Sequence, residues 1–103
     1  MNDEAIPAWF PAVYEAAKQI PAGKVASYGQ LADMAGVTAR MSGRAMWSVP
    51  DGVPWWRVVG SDGTLRIGNR DPALAKIQRE RLESEGVKVS ESGRVESRFF
   101  IDE

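Results

Sequence analysis

Ser27 and Thr38, two helix start signals with Gly36 just ahead of the second, constrain the fold of this chain more than any other feature. Ser27 is followed by Gln30 at the spacing of a capping box, which opens a helix predicted to run to Ala35. Gly36 fits the left-handed residue that closes such a helix. Thr38 then caps a second short helix, Ala39 to about Ser48, which Pro50 and Gly52 terminate. Two short helices across a tight glycine-containing turn outline a helix-turn-helix over about residues 27–48. At helical periodicity, Arg40, Arg44 and Trp47 share one side of the second helix, beside Met41, Ala45 and Ser48. Ala39, Ser42 and Gly43 are small, which lets the backbone approach a partner closely. Two readings stand at this point: a recognition face carrying two guanidiniums, or an ordinary solvated surface.

The remaining pattern is also mainly helical. AWFPAVYEAAKQI carries Phe10, Val13, Ala17 and Ile20 along one stripe and stops at Pro21 and Gly23. VPWWRVV and GTLRI read as extended segments around the Ser61-Asp62-Gly63 turn. Asp71 and Pro72 open a helix to Ser84, closed by Gly86, with Leu74, Ile77, Arg81 and Leu82 on one broad side. Val87 to Ser90 and Arg94 to Ile101 read as a terminal hairpin around Ser92-Gly93. At 103 residues the expectation is a single domain, 1–103, mainly α with a small β component.

Two absences narrow the chemistry. The chain has no Cys and no His, which removes disulfides, thiol nucleophiles, imidazole acid-base work and the common zinc sites. No catalytic residue, metal or cofactor is expected. No apolar run reaches the ~20 residues of a membrane span, and the opening MNDEAIPAWF is acidic where a secretory leader is basic. The expectation is a cytoplasmic chain with no membrane partner, and nothing in the pattern signals an oligomer, so a monomer is expected. The net charge of -1 argues against nucleic acid taken as an average. Its distribution argues the other way: residues 24–70 carry six cations (Lys24, Arg40, Arg44, Arg57, Arg66, Arg70) against three anions, and both flanks are net negative.

Four blocks in order make the sequence similar to the DNA-binding domain of the O6-alkylguanine-DNA alkyltransferases. Val13-Tyr14 and IPAGKVASYGQLA (Ile20 to Ala32) resemble the family's VY…IPxGKVxTYGxIA, and ARMSGRAM (Ala39 to Met46) its recognition helix ARAVGxAM. VPWWRVV (Val53 to Val59) stands where the active-site strand IPCHRVV is usual, and RLESEG (Arg81 to Gly86) where LLxxEG is. The likeness runs from about Val13 to Gly86 and implies a winged helix-turn-helix-like DNA-binding fold. In that family the Cys of PCHR attacks the alkyl carbon, assisted by the His and a Glu. Here Trp55 takes the Cys position, Trp56 the His position, and Glu85 matches the Glu. An indole has no ionisable thiol, so alkyl transfer by that route is excluded.

Trp at the Cys position is the mark of the alkyltransferase-like proteins, a subfamily that binds O6-alkylguanine in duplex DNA and marks it for nucleotide excision repair. That resemblance implies a non-enzymatic sensor using minor-groove helix-turn-helix contacts and nucleotide flipping, with nucleotide excision repair proteins as further partners. It assigns Arg40 as the arginine finger that fills the vacated stack, and Trp55, Tyr28 and Arg70 to the lesion pocket. Ser27, Thr38, Ala39, Gly43 and Arg44 become DNA-contacting positions. The subfamily usually keeps the His, so Trp56 departs from it, and how that position packs stays open. Arg57 is expected to make structural hydrogen bonds beneath the pocket, and Trp9 and Trp47 are read as packing or surface residues. The alternative is a helix-turn-helix regulator or partner-binding module without lesion recognition.

Overall fold

Pro11, with its backbone angle set in advance, starts α1 (Phe10–Lys18) in the computed structural model, which describes residues 7–69 and 71–101. The predicted stripe is buried, Phe10, Val13 and Ala17 on α1 and Ile20 just beyond it. Tyr14 is buried beside them, and its hydroxyl donates to the carbonyl of Ala45 at 2.9 Å. That bond ties α1 to the far end of the helix-turn-helix.

The two start signals act as the sequence predicts. The Ser27 hydroxyl accepts from the Gln30 N–H and the Gln30 amide oxygen accepts from the Ser27 N–H, each at 2.9 Å, opening α2 (Tyr28–Ala35). Gly36 closes it at φ 75°, and the Thr38 hydroxyl accepts from the Met41 N–H to start α3 (Ala39–Trp47). Ser42 is fully buried, and its hydroxyl lies 2.8 Å from the carbonyls of Tyr28 and Ala39. A small residue there seats α3 against the first turn of α2.

The segment VPWWRVV departs from the extended expectation. Trp55 to Arg57 form a 3-10 helical turn, closed by the Arg57 N–H on the Pro54 carbonyl, and only Val58 and Val59 form a strand. That strand, β2 (Val58–Val59), lies parallel to β1 (Ala26–Ser27), with Ala26 opposite Val58 and Ser27 opposite Val59. Successive strand residues face opposite ways. Ala26 and Val58 accordingly join the core beneath α1, α2 and α3, while Val25 and Val59 join a second core with Leu82, Val87, Val89 and Val95.

GTLRI is also largely not a strand: Thr64 makes a single antiparallel bridge with Arg94, and a 3-10 turn follows over Arg66–Asn69. The terminal hairpin is reduced to the Val89–Val95 bridge and the Ser90 N–H on the Arg94 carbonyl. Ser97–Phe99 then turn, and Phe100 bridges in parallel to Val25. Asp71 caps α4 (Pro72–Ser84) through the Ala73 N–H. The buried face of α4 follows the apolar side only in part: Leu82 is buried, but so is Gln78, while Ile77 is exposed. The cause is what α4 rests on. The Gln78 amide donates to the carbonyls of Trp56 and Val58 at 3.1 and 3.0 Å, two groups that the tight turn leaves in need of donors. Among the described residues no helix is long and apolar enough to cross a membrane.

Gly63 sits at φ +90°, and a Cβ there runs into the carbonyl oxygen of Val95, whose N–H is bonded to the Gly63 carbonyl. Gly36 is also left-handed, at φ +75°, but opens onto free space. Gly63→Ala is expected to lower unfolding free energy by about 2 kcal/mol or more, and Gly36→Ala by only about 1 kcal/mol. Urea midpoints at constant slope check the order; equal losses contradict it.

Candidate nucleic-acid interface

The helix-turn-helix presents a cleft of about 400 Å³ lined by Tyr28 from α2, Ala39, Arg40, Gly43 and Trp47 from α3, and Arg66 from the following turn. Ala39, Arg40 and Arg44 are exposed and Gly43 is half-buried, so the outer face of α3 is open along its small residues. Arg44 lies outside the cleft lining. Thr38 is exposed with its hydroxyl in the α3 cap, and Ser27 is buried with its hydroxyl in the α2 cap. These two order the helix ends with their side chains. Burial raises the Tyr28 phenol above its ordinary value of 10.0, while the Arg66 charge opposes the rise in part. At neutral pH Tyr28 is therefore a neutral hydroxyl.

A second cleft, of about 310 Å³, lies next to the first and is lined by Met46, Trp47, Val49, Trp55, Ile67 and Leu74. Its size falls in the usual range of small-ligand pockets, about 300–1,000 Å³. Trp55 and Tyr28, assigned to one pocket from the sequence, thus line two neighbouring clefts. Trp47, 55% exposed, lines both. Arg70, the third residue assigned to the pocket, lies outside the described residues.

Behind Trp55 is a closed polar cluster. Arg57 donates to Glu85 through Nε at 3.0 Å and Nη2 at 2.7 Å, and through Nη1 to the Ile20 carbonyl at 2.8 Å. The two side chains are only 16% and 15% exposed. This is the structural role expected of Arg57. Trp56 donates its indole N–H to Glu85 Oε2 at 3.0 Å, and its ring stands edge-on to Trp55 at 6.1 Å between centres. The position that the resemblance gives to a His is thus filled by an indole whose N–H is bonded to Glu85. Burial raises the Glu85 carboxyl, but hydrogen bonds from Arg57 and Trp56, the Arg57 charge and the Gly23 N–H together hold it below its ordinary 4.5.

Trp47, Arg66 and Arg81 are residues the sequence reading did not assign. For Trp47 a signal was present, since it falls on the Arg40 and Arg44 side of α3. Arg66 and Arg81 have none in local pattern, because their places depend on the turns packed against them. The Arg81 guanidinium lies 4.7 Å from the Trp56 ring centre and 5.7 Å from that of Trp55.

Residues 8–87 match the family model described as 6-O-methylguanine DNA methyltransferase, DNA binding domain. A DNA base-flipping protein of Vibrio parahaemolyticus is 40% identical over 92 residues, covering 85% of this chain and 89% of that protein. Alkyltransferase-like protein 1 of Schizosaccharomyces pombe is 39% identical over 100 residues, covering 92% and 91%. The crystal structure of S. pombe Atl1 in complex with damaged DNA containing O6-carboxymethylguanine matches with a TM-score of 0.78 at 33% identity, over 96% of this chain and 99% of that one.

The Glu85 cluster carries a pH dependence. A carboxyl held low by folding stabilises the fold above its unfolded value, and that contribution is lost as pH falls through the lower folded value. The chain is expected to lose stability on acidification below 4.5. Glu85→Gln is expected to be less stable at neutral pH by about 1–3 kcal/mol, with a smaller further loss toward pH ~3. Denaturant melts at the two pH values check this, and parallel losses in both proteins contradict it.

Proposed function

The chain belongs to the 6-O-methylguanine DNA methyltransferase DNA-binding-domain family, and from that membership we propose that it reads O6-alkylguanine in duplex DNA without removing the alkyl group. The observation that carries this reading is the Trp55 indole on the wall of an apolar cleft, at the position where the family's nucleophile stands, in a chain with no Cys. A base inside a duplex cannot be inspected around its O6 group while stacked, so the lesion must leave the stack. Damage-bound S. pombe Atl1, alike over nearly the whole chain, supports a reader of this kind.

The geometry then divides the labour. α3 approaches the minor groove along Ala39 and Gly43, where larger side chains stand in the way. Arg40, exposed at the mouth of the first cleft, fills the gap left by the rotated nucleotide; its planar, permanently charged head suits that place. Tyr28, a neutral hydroxyl there, donates to the rotating phosphate, and Arg66 adds charge on the same side. The flipped base enters past Trp47 and lays its alkyl group against Trp55. Aromatic contact of that kind contributes about 1–3 kcal/mol. Neither Trp55 nor Trp56 supplies an acceptor for the alkyl group, so the lesion is held and not changed. A held lesion needs a system that cuts out the strand whatever the base chemistry, which is the basis for assigning the handover to nucleotide excision repair.

Duplexes with one O6-methylguanine are expected to bind more tightly than undamaged ones; equal affinity leaves only a plain helix-turn-helix binder. Arg40→Ala is expected to cost on the order of tenfold in affinity for the lesion duplex. Arg66→Ala is expected to weaken both duplexes alike and to reduce the salt slope by about 1; an unchanged slope removes Arg66 from the phosphate contacts. With a labelled O6-methyl group the label is expected to remain on the DNA, and label recovered on protein sinks the non-enzymatic reading.

A further inference from the structure

Arg81 is exposed on the outer side of α4, yet its guanidinium lies over two indoles, at 4.7 Å from the Trp56 ring centre and 5.7 Å from that of Trp55. Trp56 is held from other directions as well. Its N–H is bonded to Glu85 and the Arg57 guanidinium lies 5.5 Å from its ring centre. Among the described residues, the Trp55 indole has no comparable polar anchor. It packs against the first core, meets Trp56 edge-on at an interplanar angle of 86°, and lines the cleft. One side of a half-buried indole packed this way rests on the core, and its outer side is held only by what closes over it. Among the described residues, the one charged group lying over both rings is Arg81.

We propose that Arg81 is a positioning residue for the lesion cleft: it clamps Trp55 against the anchored Trp56 and so holds the cleft wall in place before DNA arrives. This rests on the lesion-reading function proposed above. The chemistry fits the task. A guanidinium stacks flat on indole faces and carries its charge at any working pH, whereas an ammonium offers charge without the plane. The anchor below the clamp explains the tryptophan at position 56. It makes the bond to Glu85 and presents the ring face on which Arg81 rests. Ordering the wall in the free protein removes an entropy cost from binding, so the clamp acts on recognition and not on the general attraction to phosphate.

The test uses the full chain with Arg81→Met, which keeps a long unbranched stem and removes charge and plane, and Arg81→Lys, which keeps the charge. Because Arg81 is on the surface, neither change removes a core contact. The first readout is the circular-dichroism couplet of the Trp55–Trp56 pair in free protein, assigned by its loss in Trp56→Phe. The second is the ratio of affinities for duplexes with and without one O6-methylguanine. Arg81→Met is expected to lose the couplet and to lower that ratio by about fivefold, with Arg81→Lys recovering part of both. A couplet unchanged in Arg81→Met overturns the clamp. A lost couplet with an unchanged ratio, or an equal loss on both duplexes, overturns the positioning role. A wild-type protein that binds both duplexes equally overturns the lesion reading instead, and the couplet in free protein still decides whether Arg81 holds the rings.

Discussion

The Arg57 guanidinium joins three distant parts of the chain at one point. It donates to the Ile20 carbonyl at the end of the first helical segment and to Glu85 at the end of α4, while its own backbone closes the turn that carries Trp55 and Trp56. Removing either partner leaves a half-buried charge without its counter-ion, which costs more than the pair's net contribution. Gln78 completes the arrangement from the other side by donating to the carbonyls of Trp56 and Val58. The turn is thus fixed by long-range bonds and not by local propensity, and the place of Trp55 in its cleft follows from it.

That difference sets what could be read from the sequence. The helix ends are local devices: Ser27 with Gln30, Gly36 and Thr38 each act within a few residues, and all stand where the sequence places them. The stripe of α1 was legible for the same reason. VPWWRVV was not, because its β-branched composition favours a strand while Pro54, Arg57 and Gln78 together impose a turn. Nor was the burial of Gln78. A polar residue wins an inward place over Ile77 only because two carbonyls need its amide, and its own Oε1 has no partner among the described residues. The candidate site divides in the same way. Arg40 and Tyr28 are brought together on the helix-turn-helix, whereas the Trp55 cleft draws on Ile67 and Leu74, which no sequence spacing joins to it.

The two clefts give the account its mechanical logic. One is open and edged with Arg40 and Arg66, suited to a polyanion; the other is lined by apolar groups and two indoles, suited to an alkylated base. Trp47 lines both, so in the proposed reading a nucleotide rotated out at the first passes it to reach the second. With no Cys and no His in the chain, the proposed reading has no thiol to take the alkyl group. In the proposed reading, one surface draws in DNA and the Trp55 wall tests one base.

A crystal structure of the chain bound to a duplex with a single O6-methylguanine tests the central claim most directly. The account predicts the damaged nucleotide rotated out of the helix, its alkyl group against Trp55 and the Arg40 side chain in the vacated stack. A damaged base still stacked in the duplex, with the Trp55 cleft unfilled, contradicts it.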